Sequence, residues 1–167
     1  MNALLMDERL PLSVTVDGSL ITAAVRPRCL LSDFLRGEVG ATGVHVGCGQ
    51  GVCGACTVVI DGRPVRACLM LAMQADGCRI QTVTSLSELE GGQAPGPDGL
   101  TRLQAAFREH HALQCGFCTP GLLVSTAIFL ARNPHPSRAA ILAHLNGHLC
   151  RCTGYANIIA AIESLAR

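Results

Sequence analysis

Strands in the first half and helices in the second predict an α+β fold for this chain of 167 residues. Three observations carry that expectation. Apolar and polar residues alternate along Leu12-Ser13-Val14-Thr15-Val16 and again at Ile21, Ala23 and Val25, the period of half-buried strands. A tract rich in breakers, Gly91-Gly92-Gln93-Ala94-Pro95-Gly96-Pro97-Asp98-Gly99, then interrupts regular structure. Beyond it the apolar spacing turns helical, as at Leu100, Leu103 and Phe107.

The strand at 12–16 meets Asp17-Gly18, which suits a two-residue hairpin turn, and 21–25 returns as its partner. Leu31, Phe34 and Leu35 stand at i, i+3 and i+4, so 30–36 reads as a short helix. Residues 37–54 hold seven Gly, which disfavours any regular element there. Thr57-Val58-Val59-Ile60 is β-branched throughout and meets a second turn at Asp61-Gly62. Another hairpin closing near Val65 follows. A short helix is expected over 68–74 and a last strand over 79–83. In the second half Thr119 is placed to cap a helix with Pro120 at its first position. That helix, 121–131, is apolar on nearly every face and belongs at the centre of its half. Asn133-Pro134 ends it. Ser137 caps a third helix to about Leu145, and Ile158, Ile162 and Leu165 stripe a fourth. The domains expected are 10–84 and 100–167, joined by an exposed linker at 85–99. Neither an internal repeat nor a low-complexity tract is apparent.

Apolar residues make up 49% and charged residues 15%, which excludes a disordered chain. A net charge of +1 gives no electrostatic footprint for nucleic acid or an anionic membrane. A surface so poor in charge raises the question of what covers it, and partner subunits are one candidate. Residues 1–10 include Asp7, Glu8 and Arg9 without a sustained apolar run, so no signal peptide is expected. Arg26 and Arg28 are split by Pro27, so there is no twin-arginine pair. The most apolar stretch, 112–131, is punctuated by Gln114, Thr119, Pro120 and Ser125 and is not a membrane span. The expected compartment is the cytoplasm, where thiols stay reduced and clustered Cys favour metals.

Eight of the ten Cys fall into two sets of four. Cys48, Cys53, Cys56 and Cys68 have the C-x4-C-x2-C…C spacing of a plant-type [2Fe–2S] site. Three thiolates on one loop must point inward at a small anionic cluster, and neighbouring N–H groups must turn with them. Gly47, Gly49, Gly51 and Gly54 permit that close approach. The second set is Cys115-x2-Cys118 with Cys150-x-Cys152, each pair preceding a helix, whose positive end favours an anionic cluster. Its spacing alone fits either an iron–sulfur cluster or a four-thiolate zinc site. A zinc site of Cys115, Cys118, His144 and His148 leaves Cys150 and Cys152 idle, and a C-x2-C redox motif lacks its βαβ context. Cys29 and Cys78 read as packed thiols, His110-His111 as a polar helix end, and Arg151 as a solvated or cluster-tuning cation.

Three motifs, in this order, carry a family resemblance. They are Gly47-Cys48 through Cys53-Gly54-Ala55-Cys56-Thr57-Val58, then Gln114-Cys115-Gly116-Phe117-Cys118-Thr119-Pro120-Gly121, then Leu149-Cys150-Arg151-Cys152-Thr153-Gly154-Tyr155. From about Val14 to Ala161 the chain resembles the iron–sulfur subunit of the molybdenum hydroxylases. That is the xanthine dehydrogenase, aldehyde oxidoreductase and carbon monoxide dehydrogenase superfamily. The resemblance implies a β-grasp, plant-type ferredoxin-like domain over 10–84 and a four-helix bundle over 100–167. It implies two [2Fe–2S] clusters, with Cys48, Cys53, Cys56 and Cys68 on the one distal to molybdenum. Cys115, Cys118, Cys150 and Cys152 are implied on the proximal one. Gln114 matches a glutamine that hydrogen-bonds the molybdopterin cofactor, for which an amide offers both donor and acceptor.

The implied partners are a large molybdopterin-binding subunit and a medium FAD-binding subunit. The chain is then an electron-transfer subunit without catalytic residues, relaying electrons from the molybdopterin through two clusters to the flavin. One departure concerns Gln50, where many three-subunit members carry an acidic residue. Cys48-Gly49-Gln50 looks like two-subunit members that pass electrons to a cytochrome, whereas Gly51-Val52-Cys53-Gly54 looks like the three-subunit type. A two-site zinc protein and a freestanding ferredoxin with an extra domain are the rival readings.

Overall fold

The computed structural model describes residues 8–166. Most of the stretch read for a signal peptide, residues 1–7, lies outside the described residues, as does Arg167. Strands β1 (Leu10–Val16) and β2 (Ser19–Val25) pair antiparallel, with Val16 opposite Ser19 at the turn. Asp17 and Gly18 both take positive φ, 47° and 83°. That pair of left-handed residues matches the twist of the flanking strands. The same chemistry repeats between β3 (Thr57–Ile60) and β4 (Arg63–Arg66), where Asp61 and Gly62 stand at φ 47° and 77°. Strand β5 (Arg79–Gln81) runs parallel to β1 and antiparallel to β3, giving a mixed sheet in the order β2-β1-β5-β3-β4. Helix α1 (Leu31–Gly37) buries Leu31, Phe34 and Leu35 in the core formed with Leu12, Val14 and Ile80.

Four local expectations are corrected. The stretch 68–74 is not a helix but two 3₁₀ turns, Ala67–Leu69 and Ala72–Ala75. Between them Met70 and Leu71 are extended, because Met70 accepts from the Leu31 amide at 2.7 Å and Leu71 bridges Leu30. The last strand stops at Gln81. The Asp17 carboxylate accepts from the Thr82 amide (2.7 Å), the Thr82 hydroxyl (2.6 Å) and the Ser85 hydroxyl (2.7 Å), which turns the chain into a 3₁₀ turn. The segment 85–99 is not exposed throughout, since α2 (Leu86–Leu89) buries Leu86 and Leu89 against the helical core. Finally, the cap before Pro120 is Cys118, and Thr119 is already helical.

The helical half contains α3 (Arg102–Glu109), α4 (Thr119–Arg132), α5 (Arg138–Leu145) and α6 (Ala156–Leu165). Helix α3 opens with a capping box, in which Thr101 Oγ1 accepts from the Gln104 amide while Gln104 Oε1 accepts from the Thr101 amide. Ser137 caps α5 as expected, accepting from the Ala140 amide at 3.2 Å. Helix α4 buries every residue from Gly121 to Ala127 and packs on β3, α2 and α3. Strand β3 is the seam. All four of its residues are buried, and because side chains alternate across a strand, Val58 and Ile60 enter the sheet core while Val59 enters the helical core. Among the described residues no helix is long and apolar enough to cross a membrane.

Candidate iron–sulfur centres

The loop between α1 and β3 carries Cys48, Cys53 and Cys56, and Cys68 follows β4 on a 3₁₀ turn. Gly49, Gly51 and Gly54 all stand at positive φ. The loop therefore curls its amides toward sulfur. The amides of Gln50 (3.3 Å) and Cys53 (3.4 Å) both donate to Cys48 Sγ. The Cys53 amide foremost, with that of Gln50, holds the Cys48 thiol down at about 6, so it is ready to serve as a thiolate. Cys56 and Cys68 are buried. Burial pushes the Cys56 thiol up to about 11, against the lowering effect of the Cys68 amide and with a smaller push from the Cys68 thiol. A thiol pushed up in this way lacks a positive partner, and a ferric ion is one.

The second set lies at the starts of α4 and α6. Cys115 and Cys152 are exposed, with their sulfurs 3.4 Å apart. Cys118 and Cys150 are half-buried and also meet; burial first, then the Cys150 thiol, pushes Cys118 up to about 12. Burial works against ionisation at Cys150 too, but the Thr153 hydroxyl (3.1 Å) and amide (3.5 Å) donate to its sulfur and the net shift is downward. Tyr155, the one tyrosine in the chain, braces this loop: its hydroxyl donates to the His148 carbonyl and accepts from the Cys150 amide.

Among the described residues no three His, Cys, Asp or Glu side chains are grouped to hold a single metal ion. The thiols instead meet two by two, as Cys48 with Cys53, Cys56 with Cys68, Cys115 with Cys152 and Cys118 with Cys150. A [2Fe–2S] core takes two thiolates on each iron, so paired donors fit it. His144 and His148, weighed above as zinc ligands, have other neighbours. His144 stacks on Phe129 and reaches the Ser125 and Thr126 hydroxyls. His148 is buried against Gly54, with its Nδ1 unpartnered. Burial first and the Arg66 charge second push His144 down to about 4 and His148 to about 3.

The two loops touch. The Leu149 amide donates to the Cys53 carbonyl at 2.9 Å. His45 Nδ1 lies 2.7 Å from the Phe117 carbonyl and its ring stacks on the Phe117 ring. A Cβ at Gly121 would lie 2.2 Å from the Gly54 carbonyl oxygen, so only glycine lets α4 approach the first cysteine loop this closely. Gln114 and Arg151 are exposed. Cys29 and Cys78 are half-buried and pack on the sheet core, as expected of plain thiols. Arg66 and Tyr155 escaped the sequence reading as site residues, and His148 entered it only as a zinc ligand. Arg66 carries no spacing signal, Tyr155 stands inside the third motif, and the His144-x3-His148 spacing pointed only to a zinc site.

Residues 14–83 match the family described as 2Fe-2S iron-sulfur cluster binding domain, and residues 88–163 the one described as [2Fe-2S] binding domain. The chain is 51% identical to the caffeine dehydrogenase subunit gamma of Pseudomonas sp. (strain CBB1), over 93% of this chain and 90% of that one. It is 46% identical to the nicotine 6-hydroxylase small subunit of Paenarthrobacter nicotinovorans, over 93% and 88%. In three dimensions it matches the crystal structure of quinoline 2-oxidoreductase from Pseudomonas putida 86. The TM-score is 0.86 at 49% identity, covering 96% of this chain and 94% of that one. The chain belongs to the iron–sulfur small subunits of the molybdenum hydroxylases, the non-catalytic, electron-transferring subunits of oxidoreductase complexes.

Proposed function

We propose that this chain relays electrons from a molybdopterin cofactor on a large partner subunit to FAD on a medium partner subunit. The paired thiols carry the reading. Cys115, Cys118, Cys150 and Cys152 hold the proximal [2Fe–2S] cluster, and Cys48, Cys53, Cys56 and Cys68 the distal one. When bound, each cluster accepts and donates one electron at a time. The chain's own residues orient the sulfurs, supply N–H donors to them and keep the two loops in contact. Gln114 offers its amide to the pterin, and the exposure of Gln114, Cys115 and Cys152 on the chain supports that docking.

Residues 10–84 form the β-grasp ferredoxin-like domain and 100–167 a four-helix bundle, with the joint at 85–99 beginning in α2. The two separate cores support this division. Large apolar side chains exposed on the chain support partner subunits. Val46, Val52, Leu69 and Leu71 flank the first cysteine set, and Leu113, Phe117 and Leu149 the second. Burial of such a rim against larger subunits removes the apolar area from water. The named activities of the relatives, on caffeine, nicotine and quinoline, support a nitrogen heterocycle as the substrate of the large subunit. Clustered cysteines that serve as metal ligands fit a reducing compartment, the cytoplasm.

The test is purification of the native complex followed by reduction and EPR. Two distinct [2Fe–2S] signals, with molybdenum and flavin subunits copurifying, are expected. A colourless preparation with stoichiometric zinc overturns the cluster assignment, and a lone monomer overturns the subunit assignment. A cytochrome copurifying in place of the flavoprotein would transfer the acceptor role to it, the reading that Gln50 favours.

A further inference from the structure

Arg66 ends β4 two residues before Cys68 and reaches across the seam between the two halves. One guanidinium nitrogen donates to Thr57 Oγ1, and the other donates to the Gly147 carbonyl at 2.5 Å. The Thr57 hydroxyl in turn donates to the Gly54 carbonyl at 2.6 Å. Gly54 lies between Cys53 and Cys56, and Gly147 lies three residues before Cys150. A single side chain therefore ties the first cysteine loop to the second. The space there is closed. A Cβ at Gly54 would lie 2.8 Å from the Gly147 oxygen, and one at Gly147 would lie 3.2 Å from the Arg66 guanidinium.

Arg66 is half-buried, and among the described residues no carboxylate forms an ion pair with it. The groups beside it are the imidazoles of His144 and His148, not carboxylates. A half-buried cation with no carboxylate partner is stabilised by negative charge nearby. Two ferric ions, two sulfides and four thiolates sum to a net negative charge, which grows when an electron is added.

We infer that Arg66 is a positioning residue that acts as the shared counter-cation of both clusters while clamping their loops together. This rests on the ligand assignment proposed above. A fixed positive charge favours the more negative, reduced state and so raises the potential of each cluster.

EPR-monitored redox titration of the whole complex tests this, with R66Q removing the charge and R66K keeping it without the planar fork. In R66Q both midpoint potentials are expected to fall by about tenfold in the one-electron equilibrium, ~59 mV. In R66K both are expected to stay within about twofold of the parent, ~18 mV. Unchanged potentials in a fully loaded R66Q overturn the inference, as does an equal fall in R66K, which would assign the effect to geometry. If R66Q does not load its clusters, R66K decides alone, since a tenfold fall there contradicts a charge effect. Absence of both [2Fe–2S] signals from the parent complex would instead overturn the ligand assignment.

Discussion

The Cys53 carbonyl accepts a hydrogen bond from the Leu149 amide at 2.9 Å, joining a residue of the first cysteine set to the neighbour of Cys150 in the second. Leu149→Pro deletes the donor and leaves a half-buried carbonyl unpaired, for an expected loss of about 1 kcal/mol. Leu149→Ala keeps the amide while losing the same apolar side chain, so it should cost about 1 kcal/mol less than Leu149→Pro. Thermal unfolding of the two variant complexes checks this, and equal melting temperatures would refute a stabilising link.

Gln114 is exposed on the chain. If its amide meets the pterin, Gln114→Ala should lower molybdopterin retention or slow reduction of the clusters by substrate. Both EPR signals should keep their intensity, because no sulfur is touched. Unaltered cofactor content and unaltered reduction rate would remove Gln114 from the pterin contact.

Asp17 holds the first hairpin to the turn before α2. Its carboxylate accepts three hydrogen bonds, and both Thr82 and Ser85 are buried. Asp17→Ala leaves the Thr82 amide and hydroxyl without an acceptor and the Ser85 hydroxyl with only its 3.4 Å bond to the Thr82 carbonyl, with an expected destabilisation of roughly 2–3 kcal/mol. Asp17→Asn retains an acceptor oxygen and should lose less. Denaturant midpoints of parent and variants measure the order.

Acid should weaken the fold through His144. Unfolded, its imidazole titrates at the ordinary 6.5; folded, burial and then Arg66 hold it down at about 4. Between those values the unfolded chain takes up a proton that the folded chain does not. The stabilising contribution is therefore complete above pH 6.5, is lost as pH falls toward 4, and declines no further below that. Replacing His144 by Gln should flatten the fall in the unfolding midpoint between pH 6.5 and 4. An unchanged pH slope in the variant would exclude His144 as its source.

Elements governed by local chemistry were legible in the residues. Asp17-Gly18 and Asp61-Gly62 are turns because their left-handed backbone is cheap for those residue types. Leu31, Phe34 and Leu35 marked the buried face of α1. The misread elements are those decided by a distant partner. Pairing with residues 29–31 broke the helix expected over 68–74, and the Asp17 carboxylate cut the last strand at Gln81. At the site, the eight cysteines stood out because ligand spacing is a property of the loop itself. Arg66 and Tyr155 did not, and His148 did so only as a zinc ligand, because their roles depend on contacts between parts of the chain that only folding brings together.

Local chemistry along the chain suffices for the α+β order, the two hairpin turns, the glycine-rich loop and the two sets of four cysteines. Each of these follows from backbone preference or from short-range spacing. Tertiary structure decided which thiols meet in pairs and that β3 is buried on both faces. It also decided that a single arginine spans the seam between the two cysteine loops. Those features require residues as far apart as Arg66 and Gly147 to share one small volume, and close packing of the two cores sets that distance.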